Sequence, residues 1–259
     1  KAVSDIDAGA KTITLGDEVM AYDQLAFTTG AHPNRLPAKL GGALDGVYVV
    51  RDLADVDGMT AAFEAGGHVL IVGGGYIGLE AAAVAAKKGL QVTVVEMAPR
   101  ILQRVACAET SDYFRALHDK HGVKIIEGTG LDHLIGAPHV TGAKLTDGQE
   151  ISIDFVIVGV GISPATDLAE KAGVTLENGI RVDARGRTSD PAIWAAGDCA
   201  ANPFRDQILR RAGDSLLAVD AMIDPRNYMI GKRLIEAGKS PAPDVIADPE
   251  TDMKALLRV

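Results

Sequence analysis

The chain is poor in cysteine, in aromatic residues and in net positive charge. Among 259 residues there are two cysteines, Cys107 and Cys199, and no C-x-x-C. That excludes a disulfide framework and a zinc knuckle, and both thiols read as buried or inert. Aromatic residues make up 4% of the chain against 29 glycines, which argues against an aromatic-cored sandwich and for many tight turns between strands and helices. Lys and Arg number 26 and Asp and Glu 35, a net charge of −9. Neither nucleic acid nor an anionic membrane is expected as a partner. No apolar run approaches the roughly 20 residues that span a bilayer. The opening KAVSDIDAGA has no signal-peptide core. A globular α/β protein in a reducing, cytoplasmic setting is the expectation. The first residue is Lys1, which points to a chain that begins inside a longer one.

What is present is a run of strand and helix signals. KTITL and VMAYDQLAFTTGAHP read as short strands closing at Thr28, Thr29 and Gly30. Asp52 caps a helix expected over residues 53–65, which Gly66 and Gly67 stop before a strand at 68–72. A helix over 76–88, a strand over 91–96, a helix near 108–121 and a strand at 123–127 follow. Three further strands are expected near 131–135, 140–145 and 150–158, the last two joined by an Asp147-Gly148 turn. Residues 159–204 are turn-rich, with one short strand ending in IWAAGDCA. A last helix is expected over 226–237.

Gly73, Gly75 and Gly78 form G-x-G-x-x-G between a strand and a helix, with Gly74, Tyr76 and Ile77 among them. The first glycine permits the tight turn, the second lets backbone approach a pyrophosphate, and the third lets helix and strand pack closely. The helix N-terminus offers N–H groups to an anion. Glu96 ends the next strand, about 20 residues on, where a carboxylate accepts from an adenosine ribose diol and repels a 2′-phosphate. NAD(H) is therefore expected over NADP(H), with Arg100 close enough in sequence to soften that repulsion. Glu80, on the first helical turn, is either a surface charge complementing the dipole or a contact with the nicotinamide end. Gly159 and Gly161 in VGVGISP end a strand where a nucleotide can lie across backbone, or form a connecting turn. His118 and His121 lack a third ligand, so no metal site is expected. RILQR and RDQILRR are small basic clusters, suited to an acidic partner or to plain surface.

In order along the chain, TTG, VGGGYIGLE, VGVGISP and TSDPAIWAAGDCA resemble the flavin-dependent ferredoxin reductases of the glutathione-reductase-like fold. The tail GDSLLAVDAMIDPRNYMIGKRLIEAG is similar to the small C-terminal domain of the oxygenase-coupled members. The resemblance implies tandem Rossmann-like FAD and NAD domains plus a small α+β C-terminal domain. It implies FAD-domain portions over 1–50 and 166–205, an NAD domain over 51–165, and a remnant of the C-terminal domain over 206–259. It further implies electrons passing from NADH through FAD to a [2Fe-2S] ferredoxin or similar carrier that feeds an oxygenase. Nothing in the sequence demands more than a monomer, and a monomer or weak dimer is the expectation. Asp198 would then bond the flavin ribityl chain, Thr29 and Gly30 would lie along the flavin nucleotide, and Arg51 would reach it where the domains meet. No catalytic side chain is required.

The sequence departs from that pattern in two places. It has no second G-x-G-x-x-G for the ADP half of FAD, and after CAANPF it passes almost at once to RDQILRRAGDSLLAVD. Segments are expected to be missing before residue 1, around 204–206 and near 211–212. The alternatives are a related pyridine-nucleotide disulfide reductase or NADH oxidase, and a module that binds NAD without turnover.

Overall fold

The computed structural model describes residues 1–201, 233–235, 237–241, 245 and 254–257. The chain forms two compact units, Lys1–Gly30 with Pro164–Val259, and Ala31–Ser163. The first opens with an antiparallel sheet of β1 (Val3–Asp7), β2 (Thr12–Leu15) and β3 (Glu18–Ala21), followed by β4 (Leu25–Phe27).

The second unit contains β5 (Ala31–Pro33), β6 (Val47–Val49), α1 (Leu53–Ala65), β7 (His68–Val72), α2 (Tyr76–Lys87), β8 (Gln91–Glu96), α3 (Ala108–Lys120) and β9 (Val123–Glu127). It continues through β10 (Leu131–Gly136), β11 (Val140–Leu145), β12 (Glu150–Ser152), β13 (Phe155–Val158) and β14 (Ile162–Pro164), whose last residue already belongs to the first unit. The central sheet has the order β6-β13-β7-β8-β9, all parallel. Its central strands carry unbroken buried apolar runs, Val69 to Val72 in β7 and Phe155 to Val158 in β13, because both faces are covered. Val69, Ile71, Val92, Val94, Phe155 and Ile157 pack with Met59 of α1 and Ala82 and Ala85 of α2. Alternate residues Leu70, Val72, Val95, Val156 and Val158 pack against Leu134, Ala143 and Leu145 of the antiparallel β10-β11-β12 sheet. Asp52 caps α1 in a reciprocal pair with Asp55, and Gly66 ends it.

Two features differ from the sequence reading. The stretch 150–158 is two strands: Ile153 N–H donates to the Thr141 carbonyl and Asp154 N–H to the His68 carbonyl, so the halves join different sheets. The second unit begins at Ala31, ahead of Arg51, because β5 pairs with β14 and β6 with β13.

After β14 the first unit continues with α4 (Asp167–Lys171), β15 (Leu176–Glu177), β16 (Gly179–Arg181), β17 (Ile193–Ala195) and β18 (Ala200–Ala201), more structure than the turn-rich reading anticipated. β17 lies parallel to β4, and β16 pairs with β15 and β18. Ile6, Phe27, Ile180 and Ile193 centre its core. Of the helix expected over 226–237, residues 233–235 are helical and most of the rest lies outside the described residues. So do the expected breaks around 204–206 and near 211–212, and RDQILRR. Among the described residues no helix is long and apolar enough to cross a membrane.

Tyr22 follows β3, and its hydroxyl is buried with no hydrogen-bond partner among the described residues. Burial, then Asp190 and Asp7, raises its pKa. An unpaired buried hydroxyl costs about 1–3 kcal/mol. Tyr22→Phe is expected to leave stability unchanged or raise it by up to about 1 kcal/mol. Chemical denaturation checks this, and a clear loss would mean that the hydroxyl is bonded after all.

Candidate functional site

The carboxyl ends of β7 and β13 lie side by side, and there the order in which the chain visits the strands reverses. From β7 the chain proceeds through α2 to β8 on one side, while β13 separates β7 from β6 on the other. Such a switch point is where open parallel sheets take ligands. Gly73 leaves β7 with φ +110°, its N–H donating to the Val95 carbonyl at 2.8 Å. A Cβ on Gly73 would lie 2.3 Å from the Gly159 carbonyl oxygen, and one on Gly78 would lie 2.0 Å from the Gly73 carbonyl oxygen. A Cβ on Gly75 would meet nothing within 4 Å. Two of the motif's glycines are thus fixed by contact and the third opens onto free space. Gly75 is also the N-cap of α2 and supplies no side-chain cap to the first-turn N–H groups. Tyr76 and Ile77, the next residues, are exposed, as is Glu80.

Glu96 joins this turn. Its carboxylate accepts from the Gly74 N–H and the Ala98 N–H, each at 2.7 Å. It braces the glycine turn while keeping lone pairs for further donors. Arg100 is engaged within the following segment. Its guanidinium donates to Ser111 Oγ at 2.6 Å and to the carbonyls of Cys107 and Gln103. RILQR is accordingly a segment whose first arginine is bound within its own loop.

Gly159 ends β13 with its N–H on the Val72 carbonyl at 2.8 Å. Gly161 has φ +103°, and Asn34 braces it from just after β5: Asn34 N–H donates to the Gly161 carbonyl at 3.0 Å and Ser163 Oγ donates to Asn34 Oδ1 at 2.7 Å. Arg51 precedes α1, is exposed, and donates its backbone N–H to Asp55 at 2.9 Å.

Within the first unit, Thr29, Gly30 and Asp198 come together by a similar rule. β4 and β17 are parallel neighbours, and these residues follow their carboxyl ends. Ala196 N–H donates to the Phe27 carbonyl at 3.0 Å, tying the two exits. Thr29 Oγ1 donates to the Ala165 carbonyl at 2.7 Å, and Gly30 has φ +68°. Gly197 has φ +79° with open space where a Cβ would stand, and Asp198 beside it is exposed.

Sequence reasoning missed the loop that packs on the glycine turn. Ile101 is fully buried, with its Cγ2 2.7 Å from where a Gly74 Cβ would stand, and Leu102 N–H donates to the Gly74 carbonyl at 2.9 Å. Leu102 is buried yet has φ +55°, a conformation costing about 1–2 kcal/mol. The Ile101 N–H donates to Glu127 Oε1 at 2.7 Å, and Glu127 is clamped by Arg115 at 2.9 and 3.0 Å. Hydrogen bonds to Glu127, then to Asp112, keep the Arg115 guanidinium protonated above its usual range. No sequence signal marks a leucine for a left-handed conformation.

The histidine pair does not share a ligand. His118 is buried, its Nε2 3.1 Å from the Leu79 carbonyl, while His121 is exposed with Nδ1 on the Leu117 carbonyl. Among the described residues no His, Cys, Asp and Glu group suits a metal. Cys199 is buried, and Cys107 is exposed rather than buried.

Residues 1–219 match the family model described as pyridine nucleotide-disulphide oxidoreductase, and residues 195–257 match one described as reductase C-terminal. A ferredoxin–NAD(P)(+) reductase of a Sphingomonas species is 40% identical over 84% of this chain and 55% of its own length. Putidaredoxin reductase of Pseudomonas putida is 35% identical over 81% of this chain and 50% of its own. The chain spans about half the length of these curated relatives. The crystal structure of the covalent putidaredoxin reductase–putidaredoxin complex superposes with a TM-score of 0.89 at 26% identity, over 99% of this chain and 79% of that one.

The glycine geometry separates two substitutions. Gly78→Ala must push α2 from the Gly73 carbonyl and is expected to cost about 1–3 kcal/mol. Gly75→Ala, entering open space at an N-cap, is expected to cost under about 1 kcal/mol. Parallel denaturation curves distinguish them, and equal losses would refute the contact assignment.

Proposed function

The chain belongs to the pyridine nucleotide-disulphide oxidoreductase family, and from that premise we propose that it is a flavoprotein component passing electrons from NADH through FAD to a [2Fe-2S] ferredoxin that supplies an oxygenase. The observation that carries the reading is the open face of Gly75 at an uncapped helix N-terminus, at the switch point of a parallel sheet and beside Glu96. The likeness of residues 195–257 to a reductase C-terminal domain supports the ferredoxin-linked branch.

The residues fit a dinucleotide. Backbone of Gly73, Gly74 and Gly75 and the N–H groups of Tyr76 and Ile77 would hold the pyrophosphate against the positive end of α2. Glu96, already anchored by the Gly74 and Ala98 N–H groups, would accept from the ribose hydroxyls and disfavour a 2′-phosphate. With Arg100 bound in its own loop, little offsets that repulsion. Gly159 and Gly161 would line the opposite wall, and Glu80 would lie toward the nicotinamide. Thr29, Gly30 and Asp198, at paired strand ends with open backbone at Gly197, suit part of a flavin site. Bound together, the two cofactors supply hydride transfer and one-electron release. The chain's own work is to bind and orient, so no side-chain acid or base is assigned. A reducing, cytoplasmic setting and a monomer or weak dimer complete the proposal.

An anaerobic titration of the purified protein with NADH, recorded in the visible, tests it. Bleaching of bound flavin, with NADH favoured over NADPH, is expected. Binding of NADH by a colourless protein that never reduces added FAD would favour a nucleotide-binding module instead.

A further inference from the structure

We propose that Glu127, at the end of β9, is a positioning residue for the dinucleotide turn, acting through the peptide of Ile101. The proposal rests on the dinucleotide reading of that turn.

The chain of contacts is continuous. Glu127 has a side-chain exposure of 19%, and its carboxylate receives three donors: Ile101 N–H, Arg115 Nε and Arg115 Nη2. The other end of the Ile101 peptide is held too, its carbonyl accepting from Ser111 Oγ at 2.6 Å, and Ser111 in turn accepts from Arg100. With Ile101 pinned by N–H and carbonyl, its side chain is pressed on Gly74 and Leu102 is held in the left-handed region, where its N–H reaches the Gly74 carbonyl. The Gly74 N–H meanwhile goes to Glu96. Both polar groups of Gly74 are therefore occupied, one by Glu96, the proposed ribose acceptor, and one by a loop seated from β9 and α3. A strained backbone persists only where its surroundings over-determine it. The charge-assisted bond from the Ile101 N–H to the Glu127 carboxylate, together with the Ser111 bond to the Ile101 carbonyl, supplies that determination. Glu127 makes these bonds within the protein, so it acts on the coenzyme only through the shape of the turn.

Three substitutions in the full chain separate this role from a general structural one. Glu127→Ala removes the acceptor of the Ile101 N–H. Glu127→Gln keeps a neutral acceptor, and Arg115→Ala keeps the carboxylate. The Kd for NADH, by calorimetry, is expected to rise about 10-fold in Glu127→Ala, 3- to 5-fold in Glu127→Gln and less than 3-fold in Arg115→Ala. In the ligand-free protein, amide exchange at Gly74, Ile101 and Leu102 is expected to accelerate in the same order. An unchanged Kd and unchanged exchange in Glu127→Ala would overturn the proposal. Equal weakening in Arg115→Ala and Glu127→Ala would overturn it as well, by assigning the effect to the seating of α3. If Glu127→Ala does not fold, Glu127→Gln is read alone, and wild-type values for both measurements overturn the role. A wild-type chain that binds no NADH would refute the functional reading, while exchange at Gly74 would still decide the positioning.

Discussion

The backbone contact of Gly78 with the Gly73 carbonyl governs the second unit. It lets α2 start directly above the end of β7, and the same turn leaves no room for a Cβ between Gly73 and Gly159. Strand, turn, helix and the neighbouring strand are thereby locked at one point of the sheet. The apolar layers on both faces keep that point rigid, since Val72 and Val158, the last residues of β7 and β13, are buried in one cluster. The glycine at the middle of the motif is the exception, and its openness is what the rest of the arrangement leaves for a ligand.

Much of this was legible in the sequence because it depends on local rules. G-x-G-x-x-G between an apolar strand and an amphipathic helix specifies a turn that few other sequences can make, and Asp52 and Gly66 punctuate α1 as capping chemistry requires. The division of 150–158 was not legible. Ile151, Ile153 and Phe155 continue an alternation that says nothing of which sheet each half joins, and the backbone donors that decide it find acceptors far away in sequence. The loop at 100–106 was equally opaque. Arg100 reads as a surface cation and Glu127 as a strand-end acid, and only folding brings them to either side of Ser111 and Ile101.

Glu96 shows how one carboxylate serves two ends. A residue read for its capacity to accept from a ligand also fixes the loop that would receive that ligand. Its geometry is therefore set before anything binds, which lowers the ordering cost of binding. Two units built on parallel strand ends repeat the same device, with small residues at each exit and an acid beside them.

The sheet order carries a consequence for synthesis. Among the described residues β6 pairs only with β13, and the partners Val47 and Val156 are 109 positions apart in the chain. At translation rates of about 5–20 residues per second, β6 emerges roughly 5–20 s before its partner exists. During that interval β7, β8 and β9 are able to form a three-stranded platform whose inner edge, on β7, remains unpaired. The nascent chain thus carries two open strand edges that a single late strand closes at once, making β13 the element whose arrival ends the period of greatest exposure to misassembly.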